Sequence, residues 1–415
     1  MIPAGLRDDL TAYLMAGVAA ASAEVALTGW LPRHPPRGRT IVLGCGKAAA
    51  AMAEVAAATL PGAVTGCVVT RYGHGPRRDT GAITVLEANH PVPDAAGLAA
   101  GQRIHDLATQ ARGGDRVVFL ISGGGSALLC LPLPGLALAD KARLTDHLVK
   151  SGAPIGDINC VRRHLSQVKG GRLAAAAAAA ADDMHSFLIS DVTDDDPAAI
   201  ASGPSVPAPF EPDRAIAVLT RSGWSIDPAL AAQIHAGRGR DAPVHPVRII
   251  ANGKTALDAV ADAAMRAGWN VVRAGDTLAG DAAATGRSHA ALALDFAARP
   301  GKHLLLSGGE LTVQVRARDG RGGPNLEYLA ALMAALPAGA PVAALACDSD
   351  GIDGSEDNAG GYFDPQCRAS AQSCAAALAA NRSYDLFAGI GGLIKTGPTR
   401  TNVNDIRMIA VGGSL

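Results

Sequence analysis

Three kinds of short stretch carry residues whose types and spacing suit the handling of negative charge. "LISGGGSALL" (120–129) leaves an apolar run at Ser122, passes through Gly123, Gly124 and Gly125, and turns apolar again after Ser126. Glycine loses more backbone entropy on folding than any other residue, so three in succession at a strand end need a reason. Bare amides opening a helix suit a phosphate or carboxylate, with the two hydroxyls as further donors; the alternative is a tight turn beneath a neighbouring element. "SGGE" (307–310) is a partial copy. "GCGKAA" (44–49) has the G-x-G-x-x-A form of a dinucleotide loop, but the following strand ends "VVTR" at Arg71, not at the acidic residue that would hold a ribose. That arginine would suit NADP. Lys47, in the same loop, is unfavourable for the dipole of the helix it opens and well placed for docking phosphates.

Carboxylates gather at two further strand ends. In "LISDVTDDDPAAIASGPSVP" (188–207), Asp196 before Pro197 reads as a helix cap. Asp191 leaves the strand itself, and is a candidate metal ligand or base. "CDSDGIDGSEDNAGG" (347–361) repeats the theme with Asp348, Asp350 and Asp353. Its spacing misses a calcium loop by one residue, which leaves Mg²⁺ or hydroxyl binding. One lysine, arginines beside glycines, glycine loops and strand-end aspartates are the groups that phosphoryl transfer uses. Other chemistries find less support. "GGSAL" lacks the closing glycine of a serine-hydrolase elbow, and no C-x-x-C or H-E-x-x-H occurs. "ANGKT" (251–255) is half of a P-loop whose first glycine would fall on Arg248.

The elements that must position these groups alternate. "TIVLGCG", "GCVVTRYG", "RVVFLIS" and "SFLISDV" read as strands, separated by helices such as "KAAAAMAEVAAATL" and the alanine-rich "GGRLAAAAAAAADD". Short apolar runs between helices indicate parallel strands covered on both faces, so the class is α/β. The stretch 208–246, with scattered Pro and Gly and no convincing strand, suggests a division into domains 1–243 and 244–415, the last strand having the option of returning to the first domain. Four echoes in the same order ("VLGCGKAAAAMAEV" with "IIANGKTALDAVAD" first among them) suggest two related domains facing each other across a cleft. Unrelated strand orders would end that idea.

With 415 residues, a net charge of −1 and no basic run, the chain lacks the footprint of a nucleic-acid binder. "AYLMAGVAAASAEVAL" follows two aspartates and contains Glu24, which suits a surface helix better than a signal peptide. No membrane partner is expected. Seven cysteines without repeated spacing read as reduced packing residues of a cytoplasmic protein.

"NHPVPD" (89–94), "LISGGGSALL", "INCVRRHLSQVKGGRLA" (158–174), "ISDVTDDDPAAIASGP", "LSGGELTV", "DSDGIDG" and "TGPTRTNVNDIR" (396–407) together resemble the class II glycerate kinases, over nearly the whole chain. The resemblance implies a Rossmann-like α/β/α N-terminal domain, a second, smaller α/β domain, and an active site in the cleft between them. It implies ATP-dependent phosphorylation of D-glycerate to 2-phosphoglycerate with Mg²⁺, and it leaves a homodimer open. By position, Lys47 would stabilise the transferring group, and Asp191 would act as base or hold the metal together with Asp348. An arginine of the "GRGGPN" loop would join them; Pro324 stands where many members have arginine before Asn325, which leaves Arg321. Lys169, Arg172 or the nearby Arg162 would pair with the substrate carboxylate, although ordinary solvated helix charge also accounts for Arg162 and Arg163. Asn325, Asp350 and Asn402 are further binding candidates; the loop holding Asn402 either closes the fold or contacts a ligand. Two rivals remain: an NADPH-dependent hydroxypyruvate reductase using the first loop, and a non-catalytic sensor of nucleotides or sugar acids.

Overall fold

Strands buried on both faces need helices above and below, and the first half of the chain supplies them. In the computed structural model, which describes residues 5–178, 180–181, 183–237, 243–317 and 319–412, six strands form one sheet. They are β1 (Thr40–Cys45), β2 (Val64–Arg71), β3 (Ile83–Ala88), β4 (Arg116–Ser122), β5 (Asp183–Ile189) and β6 (Val247–Ala251), in the order β3-β2-β1-β4-β5-β6. The pairs β1·β2, β1·β4, β2·β3 and β4·β5 are all parallel. That is the Rossmann order. Every residue of β1 and β4 is buried, as their unbroken apolar runs require. Asp94 caps the helix Ala95–Thr109 by accepting the Gly97 amide, as expected. Asp196 accepts the Ala198 amide, but the chain then enters a turn and the short 3₁₀ segment Ile200–Ser202, not an α-helix. The alanine run forms a shorter helix, Arg172–Ala177; Ala179 lies outside the described residues.

Four helices, Leu138–Lys150, Ile155–His164, Pro212–Arg221 and Pro228–Ala236, enclose a small core of their own around Leu148, Val161 and Leu219. It lies apart from the main core over the sheet, which is built on Ile41, Phe119, Leu188 and their neighbours.

The contacts divide the chain into two units: Ala23–Ile250, and Ala251–Leu415 with Met1–Ser22. The second unit holds β7 (Asn270–Asp281), β8 (Lys302–Thr312), β9 (Val342–Asp348), β10 (Gly360–Phe363), β11 (Leu393–Ile394) and β12 (Asp405–Gly412), ordered β11-β10-β9-β12-β8-β7. Only β7·β8 is parallel in this mixed sheet. The closing strand β12 lies inside the second sheet, between β9 and β8, and does not return to the first. The helix Leu6–Ala20 packs along Gly253–Arg266, so closely that a Cβ on Gly17 would lie 2.9 Å from the Ala256 carbonyl oxygen. Leu6–Leu27 is apolar and long enough to cross a membrane, with mean hydropathy 1.5, but half of it is buried inside the protein and it breaks at Ala21 and Ser22.

The two halves are not copies. "VLGCGK" belongs to β1, in the interior of the first sheet, whereas its echo "IIANGK" ends β6 at the edge of that same sheet. The Asn252 side chain and Thr255 form a capping box there. "SGGE" is no loop either: it runs through the middle of β8. Unlike strand orders dispose of the duplication.

A sharper constraint lies between Ala282–Ala297 and Pro324–Ala335. A Cβ on Gly286 would lie 2.3 Å from the Tyr328 carbonyl oxygen, which is backbone and cannot turn aside. Gly286→Ala is therefore expected to cost about 1–3 kcal/mol, read as a lower urea midpoint with secondary structure retained; an unchanged midpoint would show that these helices separate freely.

Candidate active site

The row of strands in the first sheet turns at β1 and β4: β2 and β3 lie to one side, β5 and β6 to the other. Loops leaving such a pair of parallel strands diverge and open a crevice, where α/β sheets bind ligands. Lys47 and the triple glycine both emerge there, and their backbones are joined. The Lys47 amide donates to the Gly123 carbonyl at 2.9 Å, and the Ala48 amide to Ser122 Oγ at 3.0 Å. Gly46 has φ 120, and a Cβ on it would lie 2.2 Å from Ser122 Oγ. Ser122 is thus fully buried, and its hydroxyl holds the first loop in place. Gly125 also packs inward: a Cβ there would lie 2.7 Å from both Ala201 Cβ and Cys45 Sγ. Gly124, with φ 77, is the glycine that faces open space. A Cβ on it would lie 3.2 Å from Lys47 Cγ and 3.3 Å from the His90 ring, so both side chains border this glycine.

That space is a cavity of about 660 Å³ within the first unit, whose walls include His90, Gly124, Ser126, Lys141, Arg162 and Lys169. Lys169 is 2 % exposed and its Nζ donates to the carbonyls of Ser126 at 2.8 Å and Ala201 at 3.4 Å. Burial first, then the charge of Lys141, pushes its pKa down to about 7. Lys141 is 6 % exposed, its Nζ 3.7 Å from Cys130 Sγ, and burial lowers its pKa too. Arg162 makes no hydrogen bond or ion pair with any described residue, and burial lowers its pKa. Among the described residues no carboxylate pairs with any of the three. Asp146, also on the wall, is engaged by Lys150 at 2.7 Å. Buried charge of one sign costs several kcal/mol unless a counter-ion arrives, so the cavity is built for an anion. Arg162 and Lys169 were legible as candidates; His90 and Lys141 were not singled out. A signal for Lys141 does exist: it shares a helix stripe with Leu144 and Leu148, where a lysine is out of place.

Asp191 leaves the first sheet two residues beyond Ile189, the register partner of Ser122, and is half-buried. Its strand is the neighbour of β4, so it emerges on the same edge as the triple glycine.

The remaining candidates lie in the second unit. Asn325 is fully buried in the first turn of Pro324–Ala335, and its Nδ2 donates to Asp405 Oδ1 at 2.6 Å and Asp353 Oδ1 at 3.3 Å. Its Nδ2 thus holds the framework together, while its Oδ1 has no hydrogen-bond partner among the described residues. Asp353 caps that helix from a distance, accepting the Asn325 and Leu326 amides at 3.0 Å each. Asp350 is 1 % exposed and accepts the Ile352 amide; Asp348 accepts the Asp350 amide. These aspartates shape their own turn. Arg321 is shared between Glu356 at 2.8 Å and Asp385 at 3.0 Å, over the Tyr384 ring. Asn402 is nearly buried and accepts the Asn404 amide, while Thr399 and Thr401 donate to Ser349 and Ala21 carbonyls. These contacts favour the closing-loop reading of "TGPTRTNVNDIR". Among the described residues no three His, Cys, Asp or Glu side chains converge on a point that would hold a metal ion.

Burial raises the Asp353 pKa to about 7. A carboxyl whose folded pKa exceeds its unfolded value, near 4, contributes stability that is complete below the unfolded value and is lost as pH rises through about 7. The excess stability of the wild type over Asp353→Asn should therefore shrink between about pH 5 and pH 8 in urea titrations; a constant difference would mean that Asp353 stays ionised. Asp353→Ala, which also strips the helix cap, is expected to cost about 3 kcal/mol.

Comparison with known proteins adds to this geometry. The model of a domain of unknown function (DUF4147) matches residues 9–236, and that of the MOFRL family matches 303–405. A protein of Agrobacterium vitis with a provisional hydroxypyruvate reductase name is 42% identical over 98% of this chain and 94% of its own. A glycerate 2-kinase of Pyrococcus horikoshii is 36% identical over 89% of this chain and 87% of its own. The crystal structure of a glycerate kinase from Thermotoga maritima has a TM-score of 0.85 at 32% identity, covering 99% of this chain and 100% of that one. With likeness at this level along its length, the chain belongs to the DUF4147–MOFRL family, that of the glycerate 2-kinases.

Proposed function

We propose that the protein transfers the γ-phosphoryl group of ATP to the 2-hydroxyl of D-glycerate, giving 2-phosphoglycerate and ADP. The observation that carries this reading is the cavity of the first unit, where Lys141, Arg162 and Lys169 bring together positive charge that no carboxylate among the described residues pairs with. Phosphoryl transfer is catalysed mainly by positioning and by fixed charge, since there is little covalent work for the protein to do. Lys47, at the crevice, supports the charge spreading over the transferred group. Asp191, on the same edge, takes the proton of the hydroxyl as its oxygen attacks the γ-phosphorus. The bond to the bridging oxygen breaks, and its electrons leave with ADP.

Mg²⁺ enters with the nucleotide. Such an ion keeps most of its waters and substrate oxygens and asks the protein for one or two carboxylates. That demand needs no three-ligand cluster, and Asp191 or Asp348 would serve as the carboxylate; the ion would neutralise phosphate charge. The name of the Pyrococcus relative supports the 2-position. Seven free cysteines fit a reducing cytoplasm.

Purified protein given ATP, Mg²⁺ and D-glycerate should release ADP only when glycerate is present, with a phosphorus resonance for 2-phosphoglycerate. Oxidation of NADPH by hydroxypyruvate, without glycerate-dependent ADP, would replace the kinase with a reductase. Lys47→Met should lower kcat by on the order of 10³-fold with an unchanged circular dichroism spectrum. Near-full activity would remove Lys47 from the site.

A further inference from the structure

We propose that Lys141, Arg162 and Lys169 form the seat of the acceptor's carboxylate, and that Lys141 is a substrate-binding residue that makes the enzyme select 2-hydroxy acids over uncharged polyols. The inference rests on the kinase reading and specifies which part of which substrate the cavity receives.

The three cations come from different elements. Lys141 lies on Leu138–Lys150, Arg162 on Ile155–His164, and Lys169 on the turn before Arg172–Ala177. Two of these helices belong to the small helical core, not to the sheet crest that carries Lys47. The seat is therefore distinct from the glycine crest, although Gly124 and His90 border both the cavity and Lys47.

Depth and chemistry favour a carboxylate over a polyphosphate. The two lysines are nearly inaccessible, and each ammonium already has a neighbour: two carbonyls for Lys169, a thiol sulfur for Lys141. Arg162, the member without a described partner, has the planar fork that matches a carboxylate with two parallel hydrogen bonds. An anion held this way also fixes regiochemistry. The C2 hydroxyl is borne by the carbon joined to the carboxyl group, so clamping the carboxylate fixes the 2-oxygen within one torsion, while the 3-oxygen still swings on a further bond. A neutral triol has nothing to offset the mutual repulsion of the cations and is refused.

The groups that act on Lys169 are Lys141, Arg162, Cys130 and Cys45. None is a carboxylate, so a bound carboxylate supplies the countercharge and draws a proton onto Lys169. Glycerate affinity should then fall as pH rises through about 7.

Calorimetric titration without nucleotide tests the seat independently of turnover. D-Glycerate and D-lactate should bind competitively and glycerol should not. Lys141→Met and Arg162→Gln should each weaken D-glycerate binding about 10- to 100-fold and raise its KM alike, with the KM for ATP unchanged. Lys141→Arg should restore binding, which a merely structural role would not predict. If the variants raise the KM for ATP and leave glycerate binding intact, the cluster holds nucleotide phosphates and the proposal is overturned. Equal binding of glycerol would also overturn it. Carboxylate binding with no ADP release would instead preserve the seat and refute the kinase.

Discussion

Like charges drawn out of water repel each other more strongly than they would in solvent, and Lys141, Arg162 and Lys169 are kept in that condition by the fold. Burial has already pushed Lys169 down to about 7. A sequence free to relax would pair them with carboxylates. Among the described residues none does so, since Asp146 on the same wall is held by Lys150. The cavity, the helices that wall it and the carbonyls that steady Lys169 all make sense around a negatively charged guest, and the rest of the first unit can be read as the frame that makes this tolerable.

That frame depends on small residues. Gly46 lets its loop lie against Ser122, Gly125 lets the following turn pack on Cys45 and Ala201, and Gly124 keeps the space between Lys47 and His90 clear. Two bare stretches of backbone thus perform three separate tasks, of which only one faces the cavity. The second unit spends its buried polar groups differently. Asn325, Asp353, Asp405 and Arg407 bond to one another around the start of one helix, with Asn325 Oδ1 and Arg407 Nε left over, and Arg407 also donates to the carbonyls of Gly308 and Gly309. Pro324 suits the first position of that helix, where no amide hydrogen is needed.

The parts of this arrangement that could be read from sequence are those governed by local rules. β1 and β4 announce themselves because strands buried on both faces need long apolar runs. Asp94 and Lys47 stand out because their types conflict or agree with a helix terminus. Long-range partnership is harder to see. "VLGCGK" and "IIANGK" look alike because each solves the same strand-to-helix turn, yet one lies in the sheet's interior and the other at its edge. Nothing in "SGGE" tells that its neighbours in space are strands on both sides. Ser122 and Asn325 have the chemistry of ligand contacts, and only packing reveals that backbone amides and carboxylates of the chain itself engage them. Lys141 was hidden because its helix has a polar, charged look; its significance lies in which stripe it occupies.

The close seating of Leu6–Ala20 against Gly253–Arg266 has a bearing on how the polypeptide is made. On the ribosome that apolar helix emerges before its docking groove is translated, and the whole Rossmann-ordered sheet lies between them in the chain. Until then Leu10, Leu14 and the bare flank at Gly17 have nowhere to hide, and this is the interval in which a chaperone or a membrane surface would compete for them. Fusing a rapidly folding tag ahead of this segment would leave the groove unaltered while shielding its future occupant.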